Sequence, residues 1–395
     1  MSASELNSDL KIIEKWAYQW KMLFNPDPTK QAVEMIFSRK RGDQGHPPLF
    51  FNNLPVVSVD AHKHLGITLD NKLLFTKHTS EKVSKARKGI GIIRHLSGHV
   101  HLDTLDQLYK LFVRPHLDYC DIIYHVPVIT NQFDSSISLT YSMQSIESTQ
   151  YQAALAVSGA WRGSNTSKLY EELGWESLTD RRWYRRILQL YKIIYDLTPS
   201  YLKNIIPPTR RTLYGHRRHT LHEFRCHSSA FKNSFFPHSV NCWNNIGSEF
   251  TSLASISVFK NALLALIRPP KKTVFGIRHI VGIHKLFQLR LGLSDLKYHK
   301  KSHNFLDTPS DMCACNQGAE DLIHFFCKCP LFDTERAVLV DTVSIILSNQ
   351  GLLIDNIDMR KLVKIYLYGD FKFSAFDNRL IILAAIEFIT KSNRL

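Results

Sequence analysis

Four side chains near the carboxyl end of the sequence have the types and spacing of a zinc site. One residue separates Cys313 from Cys315, eight more precede His324, and another four precede Cys329. Zinc binds thiolate sulfur and imidazole nitrogen tetrahedrally, and a zinc ion held by four protein ligands has no open position for a substrate. The pattern therefore predicts a bound zinc ion with a non-catalytic role.

The neighbouring cysteines leave two points of this prediction open. Cys327 lies between the last two proposed ligands and is a rival for one of their places. The single residue between the first two cysteines is fewer than the usual spacing of about two to four. Seven cysteines, four of them crowded into this segment, do not form the spread pattern of a disulfide framework. We expect a reducing compartment, and the alternative to zinc is a set of buried free thiols with a core histidine.

A run of arginines provides a second set of residues with a chemical role. Arg181, Arg182, Arg185 and Arg186 occur in a segment with helical periodicity whose other face is apolar. Arg182, Arg185, Arg186 and Gln189 recur at the interval that places side chains in one row, so they predict a phosphate-binding ladder. The alternative is a helix face that is merely solvated.

Residues 203–238 combine cations with aromatic rings. They contain seven Lys and Arg, five His, five aromatic residues and one acidic residue, Glu223. Aromatic rings stack on unpaired bases while guanidinium groups bind phosphates, so this composition is typical of contact with single-stranded or structured RNA. The candidate contacts are Arg210, Arg211, Arg217, Arg218 and Arg225, together with Lys271 and Lys272 after a later Pro-Pro pair.

The composition of the whole chain favours the same kind of partner. Fifty Lys and Arg against 35 Asp and Glu give a formal charge of +15, which favours a polyanion through phosphate neutralisation. A basic protein without such a partner is the alternative. The 395 residues suffice for two or three domains, and an apolar content of 44% argues against wholesale disorder.

The sequence contains no feature that predicts secretion or membrane insertion. Residues 1–11 are polar and mixed in charge, unlike a signal peptide. The longest apolar run, residues 380–389, is far shorter than the roughly 18 residues of a membrane span and contains Glu387. We expect an intracellular protein of the nucleus or cytoplasm, with no membrane partner.

The elements that must position these residues divide along the chain. Helical spacing from Leu6 to Phe24 predicts one helix, with Ser2 and Glu5 spaced as a capping box. About four short strands follow: an alternating set at residues 33–37, a hairpin around Asn52-Asn53, and another alternating set at residues 65–69. These elements predict a small antiparallel sheet within residues 1–74.

The remainder of the chain is predominantly helical in pattern. Two apolar stripes predict core-facing helices, and a further helix is expected near residues 258–267. Pro207-Pro208 and Pro269-Pro270 mark breaks. The fold class is α+β and mostly α. The stripes consist of Leu105, Leu108, Tyr109 and Phe112, and of Tyr184, Ile187, Leu188, Tyr191, Ile194 and Tyr195.

Several short segments, in one order, resemble the reverse transcriptases of non-LTR retrotransposons, the jockey-like LINE elements. The resemblance includes the Cys/Cys/His/Cys cluster, which is similar to a motif near the carboxyl end of those enzymes. The other segments are WAYQWKMLFN at 16–25, HKHLGITLD at 62–70, RPHLDY at 114–119, GAWRG at 159–163, KLYEELG at 168–174, DRRWYRR at 180–186, SFFP at 234–237, LRLGL at 289–293 and YG at 368–369.

The resemblance implies a division into four regions. Residues 1–74 would be the carboxyl-terminal remnant of a polymerase palm, and residues 75–202 a helical thumb that grips the template–primer duplex. Residues 203–308 would form a basic arm and connector. Residues 309–395 would hold the zinc-knuckle-like motif, with a structural or RNA-binding role, and terminal helices.

The resemblance also assigns roles around a polymerase centre. His64, Leu65 and Gly66 correspond to the primer grip, where glycine lets a primer strand approach, although Gly66 could instead relieve packing against a helix. Lys30 would protonate the leaving group, the alternative being a surface lysine. Polymerisation needs paired carboxylates holding Mg²⁺ ions, and the sequence contains no adjacent Asp pair. We therefore expect Mg²⁺ only in the full-length parent enzyme.

The resulting hypothesis is the carboxyl-terminal part of an RNA-directed DNA polymerase that binds RNA or an RNA–DNA duplex, with target DNA as a further partner. Without paired aspartates, this chain alone is not expected to polymerise. The alternative is a host-retained, non-catalytic RNA-binding or assembly protein derived from such an element.

Overall fold

A computed structural model describes residues 3–25, 27, 32–38, 45, 47–125, 141–207, 221–270 and 274–395, with the side chains of 141–143 left aside. The described residues are mostly helical, with 60% in helices and 5% in strands. The chain forms two compact units, Met1–Lys82 and Val83–Leu395. The four regions that the resemblance implies remain a prediction.

The described residues of the first unit form one helix, six short strands and the start of a second, long helix. Helix α1 spans Ala3–Gln19 and buries only Ala17. The strands form three separate pairs. They are β1 (Val33–Glu34), β2 (Phe50–Phe51), β3 (Leu54–Pro55), β4 (Val57–Ser58), β5 (Ala61–His64) and β6 (Ile67–Asp70).

The predicted small antiparallel sheet is only partly correct. Strands β2 and β3 form the predicted antiparallel hairpin, with Asn52 and Asn53 both at positive φ in its two-residue turn. Strands β5 and β6 form a second hairpin. In contrast, β1 pairs with β4 in parallel, Val33 opposite Val57. The alternation expected through residues 33–37 gives a strand of two residues only.

The segment after β6 leads directly into the long helix α2 (Thr76–Leu96). The Asp70 carboxylate accepts hydrogen bonds from the backbone N–H groups of Leu74 at 2.9 Å and Phe75 at 2.6 Å, as in a helix-capping turn. The buried backbone N–H of Thr68 donates to Nδ1 of His78 at 3.1 Å. Polar side chains thus fix the β6–α2 connection.

The second unit is helical in the described residues. Its helices are α3 (Leu102–Leu108), α4 (Arg114–Asp118), α5 (Asp121–Tyr124), α6 (Tyr141–Ser158), α7 (Thr166–Leu173), α8 (Leu178–Ile194), α9 (Ser200–Lys203), α10 (Ser229–Lys232), α11 (Phe235–Asn245), α12 (Ser248–Thr251), α13 (Ile256–Ile267), α14 (Ile280–Arg290), α15 (Lys297–Ser302), α16 (Asp333–Ser348), α17 (Met359–Tyr368) and α18 (Ala375–Lys391).

The apolar stripe predicted on α8 is confirmed as core. Tyr191 stacks on Phe259 with ring centroids 4.3 Å apart and lies near Trp243. One apolar cluster therefore joins α8 to α11 and α13. Residues assigned to the thumb and residues assigned to the arm share this core.

The stripe predicted after α3 is displaced by a π-helical turn, Tyr109–Val113. Leu105 and Tyr109 are buried as expected, but Phe112 is 53% exposed and Val113 is fully buried in its place. A π turn contains one extra residue, so it rotates every later side chain on the helix. The expectation that Phe112 shares the buried face is wrong for this reason.

Buried ion pairs link distant helices of this unit. Arg290 at the end of α14 binds Glu172 of α7 at 2.8 Å and donates from Nε to the Leu367 carbonyl of α17 at 2.9 Å. Both charged side chains are less than one-tenth exposed. Such a pair fixes the relative positions of the three helices, because either charge alone would be costly to bury.

Candidate metal centre and nucleic-acid surfaces

The first two proposed zinc ligands lie on a tight turn. Met312 and Ala319 form an antiparallel bridge, and inside it the N–H of Cys313 donates to the Gly318 carbonyl at 2.9 Å. Asn316 adopts positive φ, which closes the turn. The N–H of Gln317 points at the Cys315 sulfur at 3.4 Å, so the backbone supplies a donor to this sulfur.

The other two ligands lie at a π-helical turn, His324–Lys328: His324 is its first residue and Cys329 directly follows it. Asp321 lies just before the turn, and its Oδ1 accepts a hydrogen bond from the His324 N–H at 2.7 Å. Arg336 of α16 ends it by donating to the Cys329 carbonyl at 2.5 Å. The turn therefore holds His324 and Cys329 close together, with the Cys329 N–H donating to the His324 carbonyl at 2.7 Å.

The two halves bring the predicted ligand atoms to one point. The sulfur and ring-nitrogen atoms of Cys313, Cys315, His324 and Cys329 all lie within 4.8 Å of one another. The Cys313 and Cys329 sulfurs are 3.6 Å apart, and the Cys315 sulfur is 3.1 Å from Nε2 of His324. Around a tetrahedral zinc ion these edges would be about 3.8 Å and 3.5 Å. The donor set thus fits zinc, which would crosslink the turn to the π-helical turn.

The rival thiol, Cys327, is outside this group of four. It lies near Arg336 and Tyr366, and burial raises its pKa to about 11. Its position in the middle of the π-helical turn directs it toward the helices that the turn packs against. The structure therefore separates Cys327 from the other cysteines of the segment.

Binding of a cation at this candidate centre would be coupled to proton release. Burial raises the pKa of Cys329 to about 12, so its sulfur stays protonated at neutral pH without a positive charge beside it. A thiolate is the form that ligates metal, and metal binding to a thiol therefore displaces its proton.

The candidate metal centre is embedded in the surrounding helices. Phe325 and Phe326 follow His324, are fully buried, and pack on Phe388 of α18 with ring centroids 4.9 and 5.4 Å away. On the other side, Glu320 is 2% exposed and forms an ion pair with Arg394. These contacts provide a rigid platform that the spacing of the ligands alone does not predict.

The arginine run of α8 is internal to the protein. Arg182 and Arg186 are each 1% exposed. Arg186 donates to the His125 carbonyl at 2.6 Å and to the Ile122 carbonyl at 3.3 Å. The expectation of an exposed phosphate ladder is wrong at these positions, because α4, α5 and His125 cover that face of the helix.

The other two arginines of the run are held by buried carboxylates. Arg181 binds both oxygens of Asp118, the shorter contact being 2.6 Å. Arg185 lies 3.5 Å from Asp118 and 3.2 Å from Asp121. Burial raises the pKa of Asp121 to about 6, and the nearby Arg185 opposes that shift. The signal in the sequence was the acidic pair in residues 118–121, which complements the arginines in charge.

A basic helix face that the sequence analysis did not select lies on α2. Its apolar residues Val83, Ala86, Ile90 and Ile93 are buried, while the intervening cations face solvent. Lys85, Arg87 and Lys88 are exposed and have no ion-pair partner among the residues that the structure describes. The signal was the run of cations between apolar residues at helical spacing.

Several predicted contacts lie outside the described residues. These are Lys30, Arg210, Arg211, Arg217, Arg218, Lys271 and Lys272. Arg225 is described and exposed, in a segment without regular secondary structure that precedes α10. It remains a predicted nucleic-acid contact.

The residues assigned to the primer grip occupy the tip of the β5–β6 hairpin. His64 ends β5 opposite Ile67, and Leu65 and Gly66 both adopt positive φ in the two-residue turn. Glycine at φ 82° is explained by this turn geometry, with no need for helix packing. Contact of this tip with a primer remains a prediction.

Comparison with known proteins gives one similarity that bears on function. Over 114 residues the chain is 29% identical to a Drosophila melanogaster protein named "Probable RNA-directed DNA polymerase from transposon X-element". The matched part is 27% of this chain and 12% of that protein, so the chain spans a small fraction of its relative. The similarity supports a relationship to transposon RNA-directed DNA polymerases. No protein-family model and no solved structure matches the chain.

No helix in the described part of the chain is long and apolar enough to cross a bilayer.

Proposed function

We propose that this chain is an RNA-binding part of a transposon-type RNA-directed DNA polymerase, with a structural zinc ion at Cys313, Cys315, His324 and Cys329. The observation that carries RNA binding is the row of unpaired cations on α2. The similarity to a transposon polymerase supplies the class of protein, and the +15 formal charge is consistent with a polyanionic partner.

The α2 face suits a phosphate backbone better than the arginines of α8 do. Lys85 and Lys88 are three residues apart, so their side chains project on the same side of the helix. Ser84 and Gly91 on the exposed side of α2 are small, so a strand can approach the helix closely. The α8 guanidinium groups, in contrast, already bind internal carboxylates and carbonyls.

Zinc at the proposed centre would have a structural role. Four protein ligands complete a tetrahedral zinc ion and leave no position for a substrate. Zinc would fix the turn at 313–319 against the π-helical turn, and the two buried phenylalanines would transmit that order to α18. The primer-grip role of His64, Leu65 and Gly66 and the RNA contact of Arg225 belong to the same proposal.

We do not assign polymerisation to this chain by itself. Its sequence has no adjacent aspartates to hold a pair of Mg²⁺ ions. Lys30 would gain a chemical role only beside such a pair.

The test is binding of the purified protein to a fluorescent single-stranded RNA over a range of salt concentrations. We expect binding that weakens steeply with salt, and an affinity that falls in Lys85→Ala/Lys88→Ala. The matched control is Lys260→Ala/Lys372→Ala, which removes the same charge from exposed positions on α13 and in the segment after α17.

Two results would contradict the proposal on RNA binding, and a third would contradict the statement on polymerisation. Undetectable or salt-independent binding by the unaltered protein would exclude electrostatic RNA recognition. An equal loss in both double variants would show that net charge and not the α2 face is responsible. Primer extension that persists through repurification would contradict the statement on polymerisation.

A further inference from the structure

A cleft of about 430 Å³ opens beside the metal centre. Its walls come from the last turn of α14, from α15, from α17, and from the three residues that precede His324. Its volume is in the range of about 300–1,000 Å³ found for small-molecule sites. The lining residues that matter below are Tyr298, Asp321, Ile323, Arg360, Lys364 and Tyr368.

One wall of the cleft carries cations with no internal partner. Arg360 and Lys364 are four residues apart on α17, so they project on the same side, and both are exposed. Neither side chain has an ion-pair partner among the described residues. The lysines of α15 differ, since Lys300 pairs with Asp295 at 3.2 Å, Lys301 pairs with Asp311 at 2.9 Å, and Lys297 donates to the Met312 carbonyl at 2.9 Å. Among the described residues that line the cleft, the cations without an internal partner are therefore Arg360 and Lys364 of α17.

Two tyrosine rings add flat, accessible surface. Tyr298 is 47% exposed and Tyr368 is 40% exposed. Tyr368 is held in place, because its hydroxyl donates to the Arg290 carbonyl at 3.3 Å and the Arg290 guanidinium lies 4.8 Å from its ring. A ring fixed in this way loses little entropy when another ring stacks on it.

The cleft also has a polar end of opposite charge. One oxygen of Asp321 accepts from the His324 backbone N–H, and the carboxylate lies in the lining. A negatively charged carboxylate repels phosphate and accepts hydrogen bonds from amino or imino N–H groups. The phosphate end of a ligand is therefore favoured at Arg360 and Lys364, and a hydrogen-bond-donating end at Asp321.

The geometry points to this cleft as a subsite for one unpaired RNA nucleotide, its base stacked on Tyr298, the more exposed of the two rings, and its phosphate held by Arg360 and Lys364. An unpaired base can turn out of the strand and stack on a protein ring, whereas a base in a duplex cannot. The subsite rests on the RNA binding proposed above and narrows it to single strands at this cleft.

The test compares two lysines on the same helix. Lys361 and Lys364 are both exposed, both without an ion-pair partner among the described residues, and only Lys364 lines the cleft. We expect Lys364→Ala to weaken binding of a uridine-only RNA strand several-fold and Lys361→Ala to leave it nearly unchanged. The same strand annealed to its adenosine complement should show no difference between the two variants.

A second pair of variants tests stacking. Tyr298→Ala should weaken binding of the single strand about tenfold, and Tyr298→Phe should retain it, because the ring rather than the hydroxyl contacts the base. Circular dichroism and denaturant unfolding of each variant establish that the loss is not one of folding.

The outcomes separate this inference from the proposed function. If the unaltered protein binds RNA but Lys361→Ala and Lys364→Ala weaken binding equally, or Tyr298→Ala has no effect, the subsite is refuted and RNA binding stands. Equal losses for the single strand and the duplex also refute it. If the unaltered protein binds no RNA, the proposed function itself fails.

Discussion

The cysteine side chains near the candidate metal centre point in different directions, and only some of their sulfur atoms face the other donor atoms. Cys315 and Cys327 are both partly accessible thiols, each a few residues from another cysteine. Only Cys315 is within reach of the other three donors, because Cys327 faces Arg336 and Tyr366 instead. The ligand set is therefore decided by the direction of each side chain.

Metal content provides the first test at this scale. Cys315→Ser should lose most of the zinc that the unaltered protein binds, since serine oxygen replaces a thiolate in the ligand set. Cys327→Ser should retain one zinc ion per chain. The measurement is metal analysis of protein dialysed against trace zinc, and equal zinc content in the two variants would contradict the assignment.

Protonation of a buried histidine provides the second test. Burial lowers the pKa of His299 to about 4, and its Nδ1 lies 2.8 Å from the Ser294 hydroxyl. In the unfolded chain the same group titrates near 6.5, so between about 6.5 and 4 the unfolded state binds more protons. The stability that neutral His299 contributes is thus present above pH 6.5 and is lost as the pH falls toward 4.

Replacing this histidine should make the free energy of unfolding depend less on pH. In His299→Gln the free energy of unfolding should fall less steeply between pH 6.5 and 4, by up to about 1.4 kcal/mol per pH unit. Denaturant unfolding at a series of pH values measures the two slopes. Parallel curves for the two proteins would show that His299 does not stay neutral on folding.

At the scale of secondary-structure elements, α2 has two glycines with opposite surroundings. A Cβ added at Gly89 would lie 3.0 Å from the Phe112 carbonyl oxygen and 3.0 Å from Cγ2 of Val113. A Cβ at Gly91 would meet nothing within 4 Å. The first glycine therefore lets α2 pack closely against the π-helical turn at 109–113, and the second lies on the exposed side.

Replacing glycine by alanine should change the free energy of unfolding in opposite directions at Gly89 and Gly91. Gly89→Ala should lower the free energy of unfolding by about 1–3 kcal/mol through overpacking. Gly91→Ala should raise it by about 0.5–1 kcal/mol, because alanine loses less backbone entropy in a helix. Chemical denaturation of both variants measures these free energies of unfolding. If both substitutions stabilise the protein, the packing around Gly89 is loose and the prediction is wrong.

For the whole molecule, the number of cations does not equal the number available to a polyanion. Arg186 and Arg290 are buried, and Arg181 and Arg185 bind acidic residues on neighbouring helices. Among the described residues, the accessible cations without an ion-pair partner include several on α2 and α17. A formal charge of +15 thus overstates the contacts that RNA can make with any one face.

Salt dependence distinguishes accessible cations from buried ones. Lys88→Ala should reduce the slope of log affinity against log salt by about 0.7, the value for one lost phosphate contact on a single strand. Arg186→Met should leave that slope unchanged. It should instead lower the free energy of unfolding by about 1–3 kcal/mol, because it leaves buried carbonyl groups without their hydrogen-bond donor. A reduced slope in Arg186→Met would contradict the internal role assigned to it.

Some features of this protein follow from the sequence alone. Residue type and short spacing identified the four clustered zinc-ligand candidates, and helical periodicity identified the apolar stripe of α8. The Asn52-Asn53 pair predicted a hairpin that is present. Each of these depends on interactions within a few residues, which the sequence encodes directly.

The tertiary structure decided the rest. Arg181 meets Asp118 across 63 residues of sequence, so its role depends on which helix covers α8 and not on its own spacing. The π-helical turn that exposes Phe112 is a change of register that periodicity does not reveal. The cleft at α17 exists because α14, α15 and the turn before His324 converge there. Charge and periodicity are local properties, whereas burial is set by the partners that the folded chain brings together.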